Sequence, residues 1–249
     1  MPRIHASLPR LYVEPDLAAG DTIVLGKDQS TYLAAVLRKR AGDEVVVFNG
    51  RDGAWLARIA NAGKKAVTLG LIEQTAAQSP PSDLWLGFAP LKAARLDYVI
   101  QKATEMGAGA IQPVITQFTQ VTRIRTDRML ANAIEAAEQC EVLTVPAIAP
   151  EIALESLIRD WPGAHAARTL IIADEAEPSA SPLQRIAALT GKSIGLLIGP
   201  EGGFSAPERR LLAAQPFVVS ISLGPRILRA DTAAVAALAI IQATIGDWR

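Results

Sequence analysis

Beyond residue 83 the chain repeats one pattern that leaves few folds open. Short apolar runs without alternating polar residues are each followed by a stretch with helical spacing. The runs are 84–89, 110–116, 169–173 (TLIIA), 193–198 and 218–223. A strand that is apolar on both faces must be covered on both, and strands joined through helices run parallel. The pattern therefore predicts an α/β domain with a parallel sheet between helical layers. Helices are expected at 96–106, where Leu96, Ile100 and Ala103 share a face and Gly107 ends the turn, and at 126–140, 182–189 and from Asp231 onward.

The first 75 residues read differently. Strands are expected at 21–25, 44–48 (EVVVF, followed by the Asn49-Gly50 turn signal), 55–59 and 66–72. One helix is expected at about 30–40, with Leu33, Val36 and Leu37 on one face. The segment 76–83 (AAQSPPSD) contains two adjacent prolines, which disfavour both helix and paired strand. The expected organisation is a β-rich module over 1–75, a linker over 76–83 and the α/β domain over 84–249.

Formal net charge is zero, so any affinity for a polyanion must come from local basic patches. Cys140 is the single cysteine and forms no internal disulfide, as in a reducing compartment. His5 and His165 are far apart, and no cluster has zinc-ligand spacing, so no metal is expected. The N-terminus has no apolar leader run, and the most apolar segment, 232–245, is shorter than the ~20 residues of a membrane span. It reads as a buried helix, and the protein as cytoplasmic with no membrane partner.

Two loops concentrate the chemistry. They are 198–205 (IGPEGGFS) and 223–232 (LGPRILRADT), each at the C-terminal end of an expected strand. Ligands of open parallel sheets bind there. Glycine permits close backbone approach and proline stiffens the turn, so the pair suggests a rigid pocket that reads its ligand through backbone groups. Taken singly, each loop is equally consistent with a tight strand-to-helix connection. Neither has the GxxxxGK[ST] or GxGxxG spacing, which leaves a nucleotide phosphate loop or a nicotinamide site without support. Ser205 to Glu208 has the pattern of a capping box, and Asp231 is the expected N-cap of the last helix.

Together these blocks resemble one family. "LIGPEGGFSAPE" (197–208) and "LGPRILRADTA" (223–233), supported by "RLDYVIQKATEMGA" (95–108), "AAEQC" (136–140) and "GDEVVVFNG" (42–50), are similar to the ribosomal RNA small subunit methyltransferase E family of the SPOUT superfamily. The chain departs from its pattern at Ala230 and Asp231, where threonine and glutamate are usual. It departs again at Glu141-Val142-Leu143, where a turn with glycine or arginine often follows.

The resemblance implies a PUA-like N-terminal β-barrel, a C-terminal trefoil-knot domain and a homodimer. It also implies S-adenosylmethionine as cofactor and N3 of a uridine in 16S ribosomal RNA, naked or within the small subunit, as acceptor. Carried onto this chain, the cofactor pocket takes Leu197, Gly199, Pro200, Gly202, Gly203, Leu223, Gly224, Ile227 and Leu228. Glu201 is a base, a holder of the sulfonium side of the cofactor, or a brace for its loop. Arg229 stabilises charge on the uridine, grips a phosphate with its planar fork, or bridges to Asp231 or Glu201. RNA contacts are expected from Arg38, Lys39, Arg40, Arg51, Lys92, Arg95, Lys102 and Arg226, with Arg58, Lys64 and Lys65 nearby in sequence. A basic run is otherwise a solvated face, and Lys102 is spaced to pair with Glu105. The alternatives are a methyltransferase of the same fold acting on another RNA atom, such as a ribose 2′-oxygen, and an RNA-binding ribosome-assembly factor without turnover.

Overall fold

The computed structural model describes residues 7–63, 66–121, 123–165, 167–174 and 181–248. The chain divides into two compact units, Met1–Pro80 with Ala137–Val145, and Pro81–Ala136 with Pro146–Arg249. The return of 137–145 to the first unit differs from the organisation expected from sequence. Its cause is polar and specific. Glu138 accepts a hydrogen bond from the Tyr12 backbone N–H at 2.8 Å, and the Gln78 amide donates to the Leu143 carbonyl.

The first unit is a five-stranded sheet in the order β1-β3-β4-β5-β2. The strands are β1 (Arg10–Tyr12), β2 (Thr22–Val24), β3 (Glu44–Phe48), β4 (Ala54–Ala62) and β5 (Val67–Ala76). Pairing is antiparallel except between β1 and β3. Three register shifts along the β4–β5 ladder curl the sheet. Leu11, Ile23, Leu33, Val45, Val47, Ile59 and Leu69 fill its concave core. The expected helix at 30–40 is instead a short α1 (Lys27–Thr31) followed by a π turn at Tyr32–Val36. The cause is local. Ser30, buried between the Leu25 carbonyl and the Val67 N–H, fixes the helix start, and Leu37 N–H bonds back five residues to Tyr32.

The second unit is a wholly parallel sheet in the order β12-β10-β11-β6-β7-β8, with β9 also paired to β7. Its strands are β6 (Trp85–Phe88), β7 (Ala110–Ile115), β8 (Ala147–Ile148), β9 (Ile152–Ala153), β10 (Thr169–Ala173), β11 (Ile194–Ile198) and β12 (Val218–Ile221). The helices are α2 (Ala93–Glu105), α3 (Thr126–Cys140), α4 (Leu154–Ala164), α5 (Pro182–Ala187), α6 (Ala206–Ala213) and α7 (Ala230–Thr244). On one face Trp161, Trp85, Leu157, Leu170, Leu197, Phe204 and Leu212 form a single cluster. Trp161 reaches the sheet because residue 195 is glycine; a Cβ there would stand 2.8 Å from its ring. α7 is tied to the end of α2 by buried Gln242, whose amide donates to the Met106 carbonyl. Among the described residues no helix is long and apolar enough to cross a membrane.

Candidate active site

β10 lies between β11 and β12, so the loops that follow β11 and β12 flank the end of β10. There they enclose a pocket lined by Ile198, Gly199, Pro200, Glu201, Gly203 and Phe204 from the first loop. Leu223, Gly224, Arg226, Ile227 and Leu228 line it from the second, and Ala230 and Ala233 from the first turn of α7. Ala173 and Asp174 form its floor from β10, and Arg209 enters from α6. Gly203 and Gly224 have φ of +69° and +107°, a region in which a side chain is strained.

The walls are largely aliphatic side chains and bare backbone, with two carboxylates, Asp174 and Glu201, and two guanidiniums, Arg209 and Arg226, among them. Asp174 and Arg209 approach to 3.7 Å, and Arg209 Nε also donates to the Phe204 carbonyl. Neither residue was expected from sequence. Asp174 had a signal, since it directly follows an apolar strand whose C-terminal end faces the ligand side.

Two of the expected pocket residues lie elsewhere. Leu197 points into the tryptophan cluster and is fully buried. Its position one residue before the strand end turns its side chain to the sheet face. Gly202 is absent from the lining, and a Cβ built there would have Phe118 as its nearest neighbour, at 3.5 Å. Ile227 lines the pocket while remaining 82% exposed.

The charged candidates sort by partner. Arg95 on α2 donates to Glu201 at 3.0 Å, and its Nε stands 3.9 Å from Asp231. Arg229 is the N-cap of α7, exposed, between the lining residues Leu228 and Ala230. Asp231 is therefore not the cap; it sits in the first turn, where its carboxylate accepts the Thr232 N–H and faces Arg95. Among the described residues no carboxylate pairs with Arg229.

In the first unit Arg38 and Arg40 are exposed and Lys39 half-buried, and Arg38 has φ +55°. Arg51 is held by Asp16 and Arg58 by Glu44. Lys64 and Lys65 lie outside the described residues, as does His5. In the second unit Lys102 pairs with Glu105 at 2.7 Å, and Lys92 is the exposed N-cap of α2.

Comparison with known proteins agrees with this architecture. A family model described as an RNA methyltransferase domain matches residues 78–242, and one described as an RNA methyltransferase PUA domain matches 25–72. The ribosomal RNA small subunit methyltransferase E of Rickettsia conorii is 35% identical over 94% of both chains. The crystal structure of the protein of that name from Neisseria gonorrhoeae, bound to S-adenosyl methionine, superposes with a TM-score of 0.85 at 27% identity. It covers 97% of this chain and 100% of its own. A putative methyltransferase from Legionella pneumophila, in complex with bound SAM, gives 0.83 at 29% identity over 95% and 97% of the two chains.

Proposed function

Since the chain belongs to the ribosomal RNA small subunit methyltransferase E family, we propose that it methylates N3 of one uridine of 16S ribosomal RNA with S-adenosylmethionine as donor. The observation that carries this reading is the pocket beyond β10, β11 and β12. Its aliphatic walls suit an adenine, its bare backbone suits the adenine edge, and Asp174 suits ribose hydroxyls. When bound, the cofactor supplies an electrophilic methyl group on a sulfonium and leaves as a neutral thioether.

What the protein must add follows from the acceptor. N3 of uracil is an imide nitrogen that carries a proton at neutral pH. That proton must be removed, and the charge left on the two flanking carbonyls must be balanced. N3 also lies on the Watson–Crick edge, so the uridine enters unpaired or flipped out. Glu201 at the pocket wall is our candidate base. Arg95 occupies its Oε1, which leaves Oε2 for the imide proton. Arg229, with no carboxylate of its own among the described residues, is the candidate for the developing oxyanion. Arg226 is offered to the RNA. In the module over 1–75, Arg38, Lys39 and Arg40 are the phosphate-binding candidates with no carboxylate partner among the described residues, whereas Arg51 is answered by Asp16.

We further propose a homodimer working in the cytoplasm, where its ribosomal substrate is. Light scattering at micromolar concentration tests the first point, and a monomer there counts against it. Mass mapping of ribosomal RNA from cells with and without this protein tests the activity. A base methyl on one uridine of 16S RNA should disappear with the protein. A missing ribose methyl would shift the reading to the 2′-oxygen, and unchanged RNA would overturn it.

A further inference from the structure

Phe118 is a large aromatic left 45% exposed on the connection between β7 and α3, and it lies against Gly202. Gly202 stands between the pocket residues Glu201 and Gly203, so the ring is at the pocket's edge. The turn that carries the ring is held. Thr116 and Thr119 close the turn on either side of it, with the Thr119 N–H donating to the Thr116 carbonyl and the Thr116 N–H donating to Thr119 Oγ1 at 2.9 Å. The Gln117 N–H donates at 2.7 Å to Glu208, which is 4% exposed and also accepts the Ser205 N–H. One buried carboxylate thus clamps the cofactor loop and the turn bearing Phe118 together.

Two residues further on, a cleft opens between Gln120, Val121 and Arg123 on this connection and Leu91, Lys92 and Leu96 at the start of α2. Four cations line it: Lys92, Arg123, Arg125 and Arg128. Asp97 answers Arg128, and Asp127 answers Arg125. Among the described residues Lys92 and Arg123 have no carboxylate partner. An exposed π face on a braced turn, two residues before a cleft with two unanswered cations and at the edge of a pocket proposed to act on a base, matches the chemistry of single-stranded RNA: bases that stack and phosphates that need charge. An acidic peptide would use the cations and leave the ring in water.

We propose that Phe118 is a stacking platform for a nucleobase of the substrate, the target uracil or its neighbour, and that Lys92 and Arg123 hold the adjoining phosphates. This rests on the methyltransferase reading above. It extends that reading by naming residues that select and position the RNA without touching the cofactor.

The test is methyl transfer from S-adenosylmethionine to small ribosomal subunits isolated from cells lacking the protein, run beside melting curves, light scattering and calorimetric cofactor binding. Phe118→Ala should lower kcat/KM on subunits about 10- to 100-fold, the range of one lost base stack. Cofactor affinity, melting and oligomeric state should stay unchanged. Phe118→Trp should restore the rate and Phe118→Leu should not, because only a π face stacks. K92Q/R123Q should reduce the slope of log affinity against log salt by about 1.4, which is ~0.7 for each phosphate contact on a single strand. Normal kinetics in Phe118→Ala, rescue by leucine, or loss of rate only with loss of the dimer would each overturn the stacking role. An unchanged salt slope would overturn the phosphate role. A wild-type protein that binds cofactor but transfers no methyl group would remove the methyltransferase reading itself, and this inference with it.

Discussion

Two arginines near the pocket differ in what answers them. Arg95 faces both Glu201 and Asp231, and Arg229 faces neither. Removing Arg95 leaves two carboxylates unanswered at the pocket wall. Removing Arg229 uncouples no ion pair among the described residues. Arg229→Ala should therefore fold normally, bind cofactor normally and turn over about 10²–10³ more slowly, as when an oxyanion donor is lost. Arg229→Lys should recover only part, because a point charge does not reproduce the planar fork. Single-turnover rates beside a melting curve check this, and a folded Arg229→Ala protein with normal rates would clear Arg229 of a catalytic role. At this scale the sequence showed the loop glycines and prolines, since Gly-Pro punctuation is local chemistry. It did not show that Arg95 would meet Glu201, because residues 95 and 201 become neighbours only when β6 pairs with β11.

Among the elements, the end of α3 carries a visible mismatch between residue and backbone. The Val142 N–H bonds back to the Ala137 carbonyl, closing a Schellman turn, and Glu141 takes the left-handed position with φ +58°. Glycine is the residue that adopts this conformation without strain. Glu141→Gly should stabilise the protein by about 0.5–1 kcal/mol, the left-handed penalty less the extra freedom of glycine when unfolded. Glu141→Asp, which tolerates the same φ better than glutamate and keeps a carboxylate, separates backbone relief from the lost charge. Urea denaturation reads both, and a destabilised glycine variant would mean that the contacts of Glu141 outweigh its strain. Element types were most legible where one force dominated. The runs at 44–48 and 169–173 are strands over those very residues, since their β-branched, largely apolar side chains favour a strand. β1, β8 and β9 are two or three residues long, too short to show any period, and α4 contains Pro162 near its end. The π turn after α1 was invisible for a different reason. Widening a helix by one residue leaves its apolar spacing almost unchanged.

For the molecule as a whole, acid sensitivity should report on the tryptophan cluster. His165 stacks on Trp161 at 4.1 Å, and burial, with Arg168 nearby, holds its imidazole below the usual value. In the unfolded chain the imidazole returns to the ordinary value near ~6.5. Below that pH the unfolded state binds a proton that the folded state does not, so stability rises with pH there and is lost as pH falls. Melting temperature should therefore decline between about pH 7 and pH 5.5, and less so in His165→Phe, which keeps a ring on Trp161. Equal slopes for the two proteins would show that His165 carries none of the dependence.

The strand order has a consequence in time. β6 is paired on one side by β11, roughly 110 residues later in the chain. At a synthesis rate of ~5–20 residues per second, β6 waits about 5–20 s for that neighbour. The pocket waits longer, because its second wall is the loop before the last helix. A nascent chain therefore holds no complete pocket for the donor molecule until residues 223–233 have left the translating ribosome. Ligand binding can protect only a chain that has formed this second wall, and added donor should slow its unfolding without hastening the earlier steps by which it forms.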